Sequence, residues 1–169
     1  MSRNIAPPEG GPNTAAVAAI TDLNRRLLVV KRSEKEGDPW SGHWALPGGR
    51  WQEGDEDLGA TLRREVLEET GIDIGSATPI GWFGPFSPSN RPELKVSVLA
   101  VSMDSRPEVK LGEELTDYRW VDVRSMGVEL RRVMTSFGPR DVEAFVTGDV
   151  MIWGLTARII RALMDAGVL

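Results

Sequence analysis

Residues 57 to 70, DLGATLRREVLEET, put apolar and acidic side chains on separate faces of one predicted helix. Leu58, Leu62 and Val66, with Leu67 as a further candidate, recur at helical spacing and form a stripe that docks on a core. Glu65, Glu68 and Glu69 fall at i, i+3 and i+4, so they share another face. Asp55 or Asp57 can cap the start, and Gly71 stands where a C-cap glycine ends a helix.

The surrounding stretch, residues 48 to 72, holds seven carboxylates and three arginines. One reading is a solvated helix face. The other is a site completed by a cation, because hard divalent ions take closely spaced carboxylate oxygens, and magnesium adds substrate phosphates to them. Arg64 can pair with Glu68 or Glu56 and so hold a glutamate in position. Gly48 and Gly49 follow a short strand and let the loop backbone approach closely.

The remainder of the chain limits the alternatives. Its 169 residues suit one domain, and folding at that length buries roughly 70% of the chain's surface. A net charge of −5 argues against general affinity for nucleic acid or membranes. It still admits a small anionic substrate where a metal supplies positive charge. With no cysteine there is no disulfide, thiolate nucleophile or sulfur-ligated zinc. This fits a reducing cytoplasm, the expected location. The polar, Pro- and Gly-rich start predicts no signal peptide, and no apolar run is long enough to span a membrane.

Residues 1–13 read as a flexible N-terminal arm, and 14–169 as a single domain. Runs 15–20 and 27–32 suggest a hairpin around TDLNRR, and HWALPGG a short strand. LKVSVLAVSM (94–103) and YRWVDV (118–123) read as strands. VRSMGVELRRVM and VMIWGLTARIIRALMDA read as helices, the last with a stripe through Ile152, Leu155, Ile159 and Leu163. This order without strict alternation predicts a mixed α/β or α+β layered fold.

Around the helix, Glu56, Arg64, Glu65, Val66, Glu68, Glu69, Gly71 and Ile72 fall in an ordered pattern. It resembles the Nudix box, usually written G-x5-E-x7-R-E-U-x-E-E-x-G-U with U apolar. One spacing departs: six residues separate Gly49 from Glu56, and Asp55 stands at the five-residue distance. Because the apolar stripe fixes the helix start, Glu56 is the expected loop acid, with Asp55 as the alternative.

The resemblance implies a three-layer α/β/α sandwich around a mixed sheet. It also implies Mg2+- or Mn2+-dependent hydrolysis of a nucleoside diphosphate linked to another group. Glu65, Glu68, Glu69 and Glu56 would be the metal ligands. Glu65, or a glutamate outside the box such as Glu114, would activate water, and Arg64 would orient that glutamate. Arg32, Gly48, Gly49, Arg50 and His43 are the candidate substrate contacts. Arg32-Ser33, Pro47-Gly48-Gly49, Asp55, Asp57 and Thr61 are similar to the coenzyme A pyrophosphatase branch. There Trp40-Ser41-Gly42-His43 replaces the branch's His-x-Gly-Gln segment. Hydrolysis of ADP-ribose, a dinucleotide or a nucleoside triphosphate is the enzymatic alternative, and a non-catalytic binding module the other. Trp82, Phe83 and Phe86 are candidates for stacking on a base. The partner expected is a small nucleotide conjugate, and homodimer formation stays open.

Overall fold

The computed structural model describes residues 4–36, 42–135 and 137–169. β1 (Thr14–Thr21) and β2 (Leu27–Arg32) form the expected hairpin, in register at Thr21 and Leu27. Its turn is built on Asp22, a buried carboxylate that accepts the N–H groups of Asn24 and Arg26 and the guanidinium of Arg106. HWALPGG divides into β3 (Trp44–Ala45) and β4 (Gly48–Arg50). Trp40 and Ser41 of the neighbouring segment lie outside the described residues.

α1 (Leu58–Thr70) follows, capped by Asp57, whose carboxylate accepts the Ala60 N–H at 2.9 Å. Gly71, left-handed at φ 74°, closes it through a bond from its N–H to the Leu67 carbonyl. β5 (Thr78–Phe86), β6 (Lys95–Ser102) and β7 (Leu115–Val121) complete the main sheet. β1 lies parallel to β6 along its whole length, while β2, β4, β5 and β7 pair antiparallel with their neighbours, so the sheet is mixed as expected.

Alternation along β1 feeds two cores. Ala16, Ala18 and Ile20 meet Leu58, Leu62 and Val66 of α1 on one face. Leu67 is 53% exposed, so the docking stripe is narrower than its candidate extent. Ala19 lies in the core on the opposite face, with Ile159, Ile160 and Leu163 of α2 (Gly154–Asp165). Helix, sheet and helix make the three layers that the resemblance implied. Among the described residues no helix is long and apolar enough to cross a membrane.

Two helix assignments are corrected. Residues 123–134 are a short 3-10 turn (Val123–Ser125) and then β8 (Gly127–Thr135), which forms a hairpin with β9 (Gly138–Thr147). β10 (Val150–Ile152) joins β9 in a separate sheet, so α2 starts only at Gly154 and Ile152 belongs to a strand. Met126, Leu130 and Val133 mimic a helical repeat, but most of β8 is exposed, and it is β9 that meets α2, through Phe145. Cross-strand pairing along the whole of β8 decides the conformation. Residues 4–13 run against the domain: the Asn4 carbonyl accepts the Trp82 N–H and the Pro8 carbonyl accepts that of Leu58.

Candidate active site

The site gathers where α1, β4, the end of β2 and the start of β7 meet. α1 passes close to β4: a Cβ built on Gly49 would lie 2.5 Å from the Glu65 carboxyl carbon, so glycine there makes room for the side chain. The Gly48 N–H donates to the Glu69 carboxylate at 3.2 Å. Arg64 donates to Glu65 at 2.7 Å and holds it against the loop.

The partner of Arg64 on the loop side is Asp55. The guanidinium donates to both Asp55 oxygens, at 3.2 and 2.7 Å. Asp55 also accepts the Gln52 N–H and the Thr61 hydroxyl, each at 2.9 Å. Glu56, the expected loop acid, is exposed and its carboxylate makes no hydrogen bond or ion pair among the described residues. The expected pairing of Arg64 with Glu68 or Glu56 is likewise replaced by Asp55 and Glu65. The helix stripe does fix the N-terminus, but the loop closes on itself through Asp55, so the extra residue falls between that acid and the helix cap. The shorter Asp side chain reaches Arg64 because the Gln52 N–H and Thr61 aim it inward.

The electrostatics follow from this geometry. The Arg64 hydrogen bonds hold Asp55 at about 2, below the ordinary carboxylate value. The same bonds raise the Arg64 guanidinium further above its usual value. Burial raises Glu65, and the charges of Glu68 and Glu114 add to this against the pull of Arg64. Burial pushes Glu69 up to about 8, with Glu65 and Glu114 adding repulsion while the Gly48 N–H and Arg32 oppose it. Glu68 and Glu114 are exposed beside this pair. The Arg32-Ser33 pair is tied to the same corner, since Ser33 donates its N–H to the Glu114 carbonyl at 2.8 Å.

Other candidates are dispersed. Arg50 is exposed at the end of β4. The His43 ring packs edge-on against Trp153, 5.1 Å between centroids, at the start of α2. Trp82 and Phe83 line a separate cavity of about 280 Å³ with Leu58, Lys95 and Ser97. Phe83 and Phe86 also pack against the α2-side core. Among the described residues no three acidic or histidine side chains already form a ligating set. Glu65 is turned to Arg64 and Glu69 to the Gly48 N–H.

Asp55→Asn is expected to release Arg64, and with it Glu65, lowering turnover roughly 10- to 100-fold, the usual cost of removing a residue that orients a ligand. Glu56→Gln should leave turnover near wild type. Asp55 has a depressed folded pKa, so its contribution to stability is complete above about 3.8 and fades as pH falls toward 2. Steady-state rates and acid melts of the two variants check this. A rate loss confined to Glu56→Gln would reverse the assignment.

Residues 11–139 match the family model described as NUDIX domain. The chain belongs to the Nudix family. It is 37% identical over 82 residues to the asymmetrical bis(5'-nucleosyl)-tetraphosphatase of Sus scrofa, covering 47% of this chain and 55% of that protein. It is 33% identical over 90 residues to the chloroplastic Nudix hydrolase 22 of Arabidopsis thaliana, covering 51% and 30%. The chain therefore spans about half or less of the curated relatives it matches. Among solved structures, the MutT protein of Methanosarcina mazei Go1 is 29% identical with a TM-score of 0.52, covering 72% of this chain and 82% of that one. A bifunctional NMN adenylyltransferase/ADP ribose pyrophosphatase from Francisella tularensis shares the fold over 95% of this chain and 42% of its own, at 18% identity and a TM-score of 0.61.

Proposed function

We propose that this Nudix domain hydrolyses the phosphoanhydride of a nucleoside diphosphate linked to another group, using Mg2+ or Mn2+. The observation that supports this most is the carboxylate set on α1: Glu65 and Glu69 raised by burial and by neighbouring carboxylate charge, with Glu68 beside them. Such a set fits a hard divalent cation, because its oxygens are the donors that ion takes and its excess negative charge is what that ion offsets. Glu65, Glu68 and Glu69 would hold the ion. When bound, it would neutralise charge on the pyrophosphate and acidify a coordinated water.

The protein's own groups do the remaining work. The Arg64 bond to one Glu65 oxygen leaves the other, beside Gly49, free to take a proton from the attacking water. Glu114 is the second candidate for that proton. The Gly48 N–H fixes Glu69 on β4, and Arg32 places positive charge beside it, where the leaving phosphate builds charge. Arg50 and His43, away from the carboxylates, would serve the far end of a long conjugate.

Coenzyme A is the conjugate favoured by the flanking residues, and the link from Ser33 to the Glu114 carbonyl holds the Arg32-Ser33 pair of that resemblance at the site. A dinucleoside polyphosphate is the second reading, favoured by the likeness to the Sus scrofa tetraphosphatase. Coenzyme A, ADP-ribose, dinucleoside tetraphosphate and nucleoside triphosphates, each assayed with Mg2+, Mn2+ or chelator, separate the two. Coenzyme A should yield 3',5'-ADP and 4'-phosphopantetheine, and chelator should abolish turnover. No metal-dependent hydrolysis of any of them would leave a binding module instead.

A further inference from the structure

β8 is the outer strand of the small sheet, and among the described residues only β9 pairs with it. A nine-residue open edge is a template for another strand. Apart from the buried Val133, its apolar side chains are uncovered: Leu130 is 74% exposed and Met134 76%, and Phe137 at the hairpin tip is 93% exposed. Apolar residues grouped on one projecting arm mark a contact surface.

The direction of the free backbone groups follows from one proline. Met134 pairs with Pro139, which has no N–H, so that pair is of the non-hydrogen-bonded kind. Alternation then makes Val133–Arg140, Arg131–Val142 and Glu129–Ala144 the bonded pairs. The N–H and C=O of Val128, Leu130 and Arg132 are left pointing to the open edge.

The charges are self-complementary about the middle of this row. Glu129 and Arg131 flank Leu130 and share the opposite face of the strand, where they already bond each other at 2.9 and 2.5 Å. A two-fold axis at Leu130 sets Glu129 of one copy opposite Arg131 of the other, twice. Moving the axis to Glu129 or Arg131 sets like charges opposite each other, so the charges select Leu130 as the centre.

We propose that β8 pairs antiparallel with β8 of a second copy of this chain, centred on Leu130, so that the two small sheets join into one. Leu130 exchanges both backbone bonds with its counterpart, and Val128 does so with Arg132 of the other copy. The apolar stripe becomes continuous across the axis, and both open edges disappear.

Sedimentation of the full chain across a concentration series tests this. Wild type is expected to dimerise reversibly. E129R and R131E should each be monomeric, their equimolar mixture should form a heterodimer, and the double variant E129R/R131E should dimerise again. L130P removes an outward N–H and the Leu130 side chain but no bond to β9, so it should be monomeric with an unchanged circular dichroism spectrum. A wild type that stays monomeric overturns the proposal. So do single charge variants that remain dimeric, because a different surface then joins the copies. Hydrolysis is not the readout, so failure here is distinguishable from failure of the proposed activity.

Discussion

Glu69→Gln is expected to reduce turnover on the order of 1,000-fold, the equivalent of losing several kcal/mol of metal-linked transition-state stabilisation. Gln keeps the shape and can still face the Gly48 N–H, but it carries no charge. The same change should stabilise the metal-free protein at alkaline pH. The folded-state value of Glu69 is about 8, against an ordinary 4.5. Between these values the folded state holds a proton that the unfolded chain has released. Wild-type stability therefore falls as pH rises through that window, by roughly 5 kcal/mol at most. Glu69→Gln has no such proton to lose. Melting of chelator-treated protein at pH 5 and pH 8 should show a drop for wild type that the variant lacks. Adding Mn2+ at pH 8 should recover stability in wild type more than in the variant. Wild-type turnover in Glu69→Gln would remove Glu69 from the ligand set. Equal pH dependence in both proteins would show that Glu69 is ionised without cost.

The contrast between α1 and the β8–β9 hairpin explains how much of the molecule could be read in advance. α1 carries every local signal at once: a cap at Asp57, a buried stripe at Leu58, Leu62 and Val66, and a left-handed glycine at Gly71. These signals agree because the helix has one wet face and one dry face. β8 has no such division. Val128, Leu130 and Met134 remain exposed, so apolar residues do not mark a core, and Met126, Leu130 and Val133 imitate a helical repeat. Only the partner strand, ten residues beginning at Gly138, supplies the hydrogen bonds that fix the conformation, and pairing is not a property of one segment.

Asp55 and Glu56 teach the same lesson at the site. The helix spacing located Arg64 and the three glutamates. Which loop acid faces Arg64 depends on the Asp55 bonds to the Gln52 N–H and to Thr61, contacts made only after the loop has closed. The motif spacing held both acids within reach and could not choose between them.

Gly48→Ala is expected to cost more than about 3 kcal/mol and to abolish activity, because the clash it creates is with backbone that cannot move. A Cβ at Gly48 would lie 2.1 Å from the Ala16 carbonyl oxygen and 2.6 Å from the Val17 Cα. β1 is held there by β4 on one side and by β6 on the other, and Ala16 is fully buried. Relief requires β4 to leave β1, which also withdraws the Gly48 N–H from Glu69. Two neighbouring glycines separate the causes. The nearest atoms to a Cβ at Gly49 all belong to the Glu65 side chain, so the effect of Gly49→Ala should fall on turnover far more than on the midpoint of denaturation. Gly54 has φ +101° and nothing within 4 Å of an added Cβ, so Gly54→Ala should cost about 1 kcal/mol of backbone strain and spare activity. Urea denaturation and steady-state rates of the three variants give the ranking. A Gly48→Ala protein as stable as Gly54→Ala would mean that β4 is not held against β1, and the placement of Glu69 would lose its anchor.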